Sequence, residues 1–149
     1  MPSEFRMKHR IEFSMTDMAG IMHFPNAFRL MEVTEHAFFR SLGGSIVMPD
    51  GERKIGWPRV HVECDYKAPL LFEEEVEVEL RIREKRSRAL TYDFFIWKIA
   101  SEPPTLAAKG SMTAVCVSMD KTTGKMKATD IPAYIASQIE VAETTETEI

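Results

Sequence analysis

The chain lacks most of the signatures that announce common chemistries. It has two cysteines, Cys64 and Cys116, and neither belongs to a Cys-x-x-Cys pair. Both fall in strand-like runs, which reads as two reduced core thiols and argues against a disulfide framework. Four histidines, His9, His23, His36 and His61, are scattered without ligand spacing, so no metal site is expected. There is no glycine-rich phosphate loop of Walker or Rossmann type, and no serine in a nucleophile elbow. No run approaches the ~20 apolar residues of a membrane span, and the opening "MPSEFRMKHR" has no apolar signal core. A cytoplasmic protein without membrane contact is expected. The formal net charge of −4 gives no global attraction for nucleic acid. No internal repeat is seen.

What is present suits one globular domain. The 149 residues are 44% hydrophobic and 28% charged, enough apolar material for a full core. That domain is placed at residues 1–141, with 142–149 an acidic tail expected to be disordered. In residues 5–13, Phe5, Met7, Ile11 and Phe13 alternate with charges, the pattern of a half-buried strand. A turn-rich connection leads to Pro25-Asn26, with Asn26 read as a helix N-cap. The spacing predicts a helix from about Ala27 to Leu42, stopped by Gly43-Gly44. Its apolar face gathers Ala27, Phe28, Met31, Phe38, Phe39 and Leu42, with Glu35 in the middle. Residues 45–58 read as a loop.

From Val60 onward the period drops to two. Four strands are predicted: one near residues 59–67, one carrying Val76 to Ile82, one over 89–100, and a last long one over about 106–119. A short helix is predicted over Ile131–Val141. Strand, long helix, then strands in a meander imply an α+β fold. Its antiparallel sheet curls around one central helix.

The stretch "FSMTDMAGIMHFPNAF", residues 13–28, places one short acid in an apolar turn just ahead of the helix. Phe13, Asp17, Gly20, Ile21, Asn26, Glu32, Leu42 and Gly43 match the pattern aromatic-x-x-x-Asp-x-x-Gly-hydrophobic-x-x-x-x-Asn, then a helix acid, then Leu-Gly. With the element order, this resembles the 4-hydroxybenzoyl-CoA thioesterase family of hotdog-fold acyl-CoA thioesterases, over about residues 5–135. Pro25-Asn26 is similar to its aromatic-acyl branch. The resemblance implies a five-stranded antiparallel sheet around the helix. It also implies a homodimer or homotetramer with active sites at the interface, and an acyl-CoA substrate. An acyl carrier protein thioester stays open as the substrate.

The chemistry assigned to the residues follows from what a thioester needs. Asp17 is the candidate nucleophile or general base. Gly20 lets the chain fold back. The backbone amides of His23 and Phe24, or of the first helical turn, are candidate oxyanion donors, since the first N–H groups of a helix lack internal partners. The His23 ring is a weaker candidate for orienting water. Met18, Met22 and Phe28 are placed at the acyl pocket, with Glu32 and Glu35 as secondary carboxylates there. A buried ion pair with an Arg or Lys is the plainer account of Glu35. Lys85, Arg86 and Arg88, in "REKRSRAL", are candidate CoA phosphate contacts, with Arg59 a weaker one. No cofactor is called for, because CoA is part of the substrate. Two other readings stay open: a non-catalytic hotdog protein that binds an acyl chain or a partner, and a related hydratase.

Overall fold

The computed structural model describes residues 2–51 and 53–143. The predicted tail is therefore described only at its first two residues, and 144–149 lie outside the described residues. In chain order the elements are β1 (Glu4–Arg10), a 3-10 turn (Phe13–Met15), α1 (Asn26–Ser41), β2 (Met48–Asp50), β3 (Arg53–Gly56) and β4 (Arg59–Tyr66). Then follow β5 (Glu75–Lys85), β6 (Ala89–Lys98), β7 (Thr105–Val115), β8 (Val117–Asp120), β9 (Met126–Ala128) and α2 (Ala133–Ala136). Among the described residues, no helix is long and apolar enough to cross a membrane.

The main sheet has five strands in the order β1-β5-β6-β7-β4, every pair antiparallel. This is the expected hotdog arrangement, with one correction. The strands after the helix are not a simple meander, because β4 crosses over to pair with β7 at the far edge. β1 already occupies the side of β5 that a meander would give to β4. A second sheet, β2-β3-β8-β9, forms where a loop over 45–58 and the end of one long strand are expected, and its β9 lies past the predicted strands. Met48–Asp50 pairs antiparallel with Arg53–Gly56 as a hairpin, and the predicted last strand breaks at Cys116.

One face of the sheet and one stripe of α1 make the core. Val76, Val78, Leu80 and Ile82 of β5 and Leu90, Tyr92, Phe94 and Ile96 of β6 are all fully buried. They face Ala27, Leu30, Met31, Phe38 and Phe39 of α1. At 1.5 Å per residue the helix is about 24 Å long. Gly110 of β7 lets the helix come close: a Cβ there would collide with Met31 Cε and lie 3.0 Å from the Glu63 carbonyl oxygen. Asn26 is the first helical residue rather than the cap. Its side-chain amide donates to the Met15 carbonyl at 2.8 Å and ties the helix start to the 3-10 turn.

Candidate active site

The turn that carries Asp17 is built by short-range bonds. The Gly20 N–H donates to the Asp17 carbonyl at 3.0 Å, and the Asp17 N–H donates to the Ile21 carbonyl at 2.9 Å. Gly20 has φ +83°, a conformation that L side chains adopt only under strain. The Asp17 side chain takes part: its Oδ1 accepts the Ala19 N–H at 2.8 Å. That leaves Oδ2 for other work. An Asx turn and a reactive carboxylate are thus compatible at this residue.

Long-range pairing then puts this turn against the sheet. Ile21 bridges Leu71, and the Met22 N–H donates to the Leu70 carbonyl at 2.7 Å. Between the two segments lies a cleft of about 380 Å³. Asp17 opens into it, facing a wall that includes Met22, Phe24, Tyr66, Lys67, Leu70 and Ala108. Asp17 also borders a shallow groove with Phe13, Met18 and Phe72, whose Phe13 and Phe72 rings meet edge-on at 5.9 Å.

The amides at the helix start can now be told apart. The His23 N–H donates to the Met15 carbonyl at 2.8 Å, so it is spent. The N–H groups of Asn26, Ala27 and Phe28 donate to the carbonyls of His23, Phe24 and Pro25 at 3.0, 3.3 and 3.1 Å. Pro25 has none. Over residues 22–28, only the Phe24 N–H makes no hydrogen bond to a described residue. Asp17 and Phe24, the residue with the open amide, thus line one apolar cleft.

A family model described as the thioesterase superfamily matches residues 19–102. The chain belongs to the thioesterase superfamily. Thioester hydrolysis is the reaction of this enzyme. The chain is 32% identical over 97 residues, 63% of its length, to a candidate esterase of Aquifex aeolicus (strain VF5), 73% of which is covered. Among solved structures it is similar to a gentisyl-coenzyme A thioesterase, 28% identical, TM-score 0.71, covering 88% of this chain and 98% of that one. A 1,4-dihydroxy-2-naphthoyl-CoA thioesterase from Synechocystis shares the fold at 18% identity, TM-score 0.75, covering 90% and 93%.

Other candidate residues of the thioesterase fall elsewhere. The exposed His23 ring meets the Phe24 ring edge-on at 5.1 Å and does not line the cleft. Met22 is buried in the cleft wall, whereas Met18 is fully exposed on the outer groove. Phe28 packs against the core.

Glu32 and Glu35 do not reach the cleft. Arg59 forks onto both oxygens of fully buried Glu35, one bond at 3.0 Å, and reaches Glu32 at 3.4 Å. Arg59 is thereby occupied, which corrects its reading as a CoA contact. Lys85 is corrected too: its Nζ donates to the Ala136 and Ile139 carbonyls at 2.9 and 2.7 Å, holding the C-terminal segment. Arg86 and Arg88 remain on the surface, paired with Glu84 and with Asp130 (3.1 Å). They sit beyond the end of β5, whereas Asp17 lies beside its start. Eleven strand residues separate the two ends by roughly 30 Å or more. Within one chain the basic hairpin and Asp17 do not meet.

Tyr66, Lys67 and Ala108 also line the cleft, and no local signal in the sequence marks them: they fall within or beside predicted strands.

Proposed function

We propose that the chain hydrolyses acyl-CoA thioesters, as 4-hydroxybenzoyl-CoA thioesterases do, with an aromatic acyl group in the cleft. Asp17 Oδ2 acts on the thioester carbonyl while the Phe24 N–H receives the developing oxyanion. The observation that carries this reading is that Asp17 and Phe24, the residue whose N–H is open, line the same apolar cleft. In the direct route, the carboxylate oxygen bonds to the carbonyl carbon, the C–S bond breaks, and CoA leaves as its thiol after taking a proton. Water then cleaves the mixed anhydride to acid and regenerated Asp17. In the general-base route, Asp17 takes the proton of a water that attacks in its place. Neither route calls for a cofactor. A panel of acyl-CoAs read with a thiol reagent tests the proposal. Free CoA should appear fastest from benzoyl-type thioesters, and no release from any of them would end it.

The active unit we propose is a dimer through the free edge of β4, in the cytoplasm. β4 exposes Val60 (62%), Val62 (44%) and Tyr66 (47%), and among the described residues no strand pairs with its outer side, an edge that monomers seldom leave bare. β4 runs from the hairpin end of the sheet to the Asp17 end. A two-fold, antiparallel pairing of two such strands therefore brings the copy's hairpin end toward Asp17. The copy's Arg86 and Arg88 then serve as cations for the CoA phosphates, which one chain alone does not offer. Val62→Glu should convert the dimer to a monomer in sedimentation and lower activity with it. A wild-type monomer at micromolar concentration would remove this part of the proposal.

A further inference from the structure

We infer that the Tyr66 hydroxyl is a positioning group for hydrolysis: it holds residue 24 so that the Phe24 N–H stays aimed at the thioester oxygen. The inference rests on the function proposed above and adds a residue to it. Tyr66 is the last residue of β4, and it donates from its hydroxyl to the Phe24 carbonyl at 2.6 Å, across 42 positions of chain. Both residues line the cleft that holds Asp17.

Few bonds fix residue 24: the carbonyl of the peptide that carries its N–H, that of His23, accepts the Asn26 N–H at 3.0 Å, and the rest of its restraint comes from its neighbours. It precedes the helix, outside regular structure, and its side chain is 60% exposed. Side-chain packing therefore does not set the direction of its amide. Polar tethers on either side do. Before it, the His23 N–H is bonded to Met15 at 2.8 Å; after it, the Phe24 carbonyl takes the Tyr66 hydroxyl. The open Phe24 N–H lies between these two anchored peptide groups. Pro25 adds a third restraint by disfavouring the helical conformation at residue 24. Without the hydroxyl, the Phe24 carbonyl keeps only the longer bond from Ala27, at 3.3 Å.

Aim matters here because an oxyanion donor works by geometry. It must stand about 2.7–3.1 Å from the oxygen as charge develops, and it contributes little when misdirected. Tyr66 also keeps its proton at neutral pH, as a phenol does. Burial, then the neighbouring Cys64, pushes its pKa up to about 12. The donor that holds Phe24 therefore does not titrate where a thioesterase operates.

The test is Tyr66→Phe, which keeps the ring on the cleft wall and deletes only the hydroxyl. With an acyl-CoA that the wild type turns over, kcat should fall about tenfold, short of the roughly 10²–10³-fold that deleting an oxyanion donor costs. KM should stay within about twofold of wild type, because apolar contacts and the CoA grip are untouched. A second measurement separates aiming from stability. In the Asp17→Asn background, bound thioester shows its carbonyl stretch by difference Raman spectroscopy, lowered by the donor at Phe24. Adding Tyr66→Phe should shrink that lowering. An unchanged kcat in an active, folded Tyr66→Phe enzyme, or an unchanged carbonyl band, overturns the inference and leaves the proposed function standing. A wild type inactive on every acyl-CoA overturns both.

Discussion

Asp17→Asn should abolish turnover, with kcat lower by roughly 10³-fold or more, while the fold and acyl-CoA binding survive. The reason to expect an intact fold is local. Among the described residues the one hydrogen bond accepted by the Asp17 side chain comes from the Ala19 N–H, and an amide oxygen accepts it equally well. The Asx turn, the Gly20 bend and the bridge from Thr16 to Met22 all persist. What disappears is an anionic oxygen able to attack a carbonyl or take a proton from water. Thermal unfolding and titration with a non-hydrolysable acyl-CoA thioether check the first half of the claim, and single-turnover kinetics the second. Turnover within tenfold of wild type would remove Asp17 from the mechanism. Turnover in oxygen-18 water then separates the routes. A mixed anhydride cleaved at the Asp17 carbonyl leaves label in the protein, whereas direct attack by water puts label only in the product acid.

The site was legible where its parts are close in sequence. An acid, a glycine three residues on and a helix start make one local unit, and the structure joins them as a turn facing a helix entry. The choice among the candidate amides was not legible. It depends on which carbonyls come back to meet them, and Met15 reaches His23 only because the 3-10 turn folds under the helix. Tyr66 and Leu70 were invisible for a similar reason. They reach Asp17 through the bridge of Ile21 to Leu71, a pairing 50 residues long that no period in the chain encodes. The long strands and α1 were readable because each carries several turns or pleats of one pattern. The hairpin of β2 and β3 has three and four residues and begins with Met-Pro-Asp, which by composition alone is a turn.

Glu35 shows how far a sequence argument can go without naming a partner. A carboxylate in the middle of a buried helix face demands a cation. The cation is Arg59, at the start of β4, and the pair pins the helix to the far edge of the sheet. Arg59→Met should therefore destabilise the protein by about 3–5 kcal/mol, because it leaves a buried charge unpaired. For a chain of this size that is a fall in Tm of roughly 6–20 °C. The loss should largely vanish in the double variant Glu35→Leu with Arg59→Met, since replacing both ions by apolar groups removes the desolvation cost along with the attraction. Tyr92 sharpens the expectation. Its side chain is fully buried beside this pair, and burial, then Glu35, pushes its pKa well up. The surroundings are thus ones in which an unpaired polar group is already expensive. Turnover decides the remaining question. A folded double variant that still hydrolyses thioester makes the pair a structural clamp, in keeping with its place outside the Asp17 cleft. A folded double variant that does not would return Glu35 to the list of catalytic carboxylates.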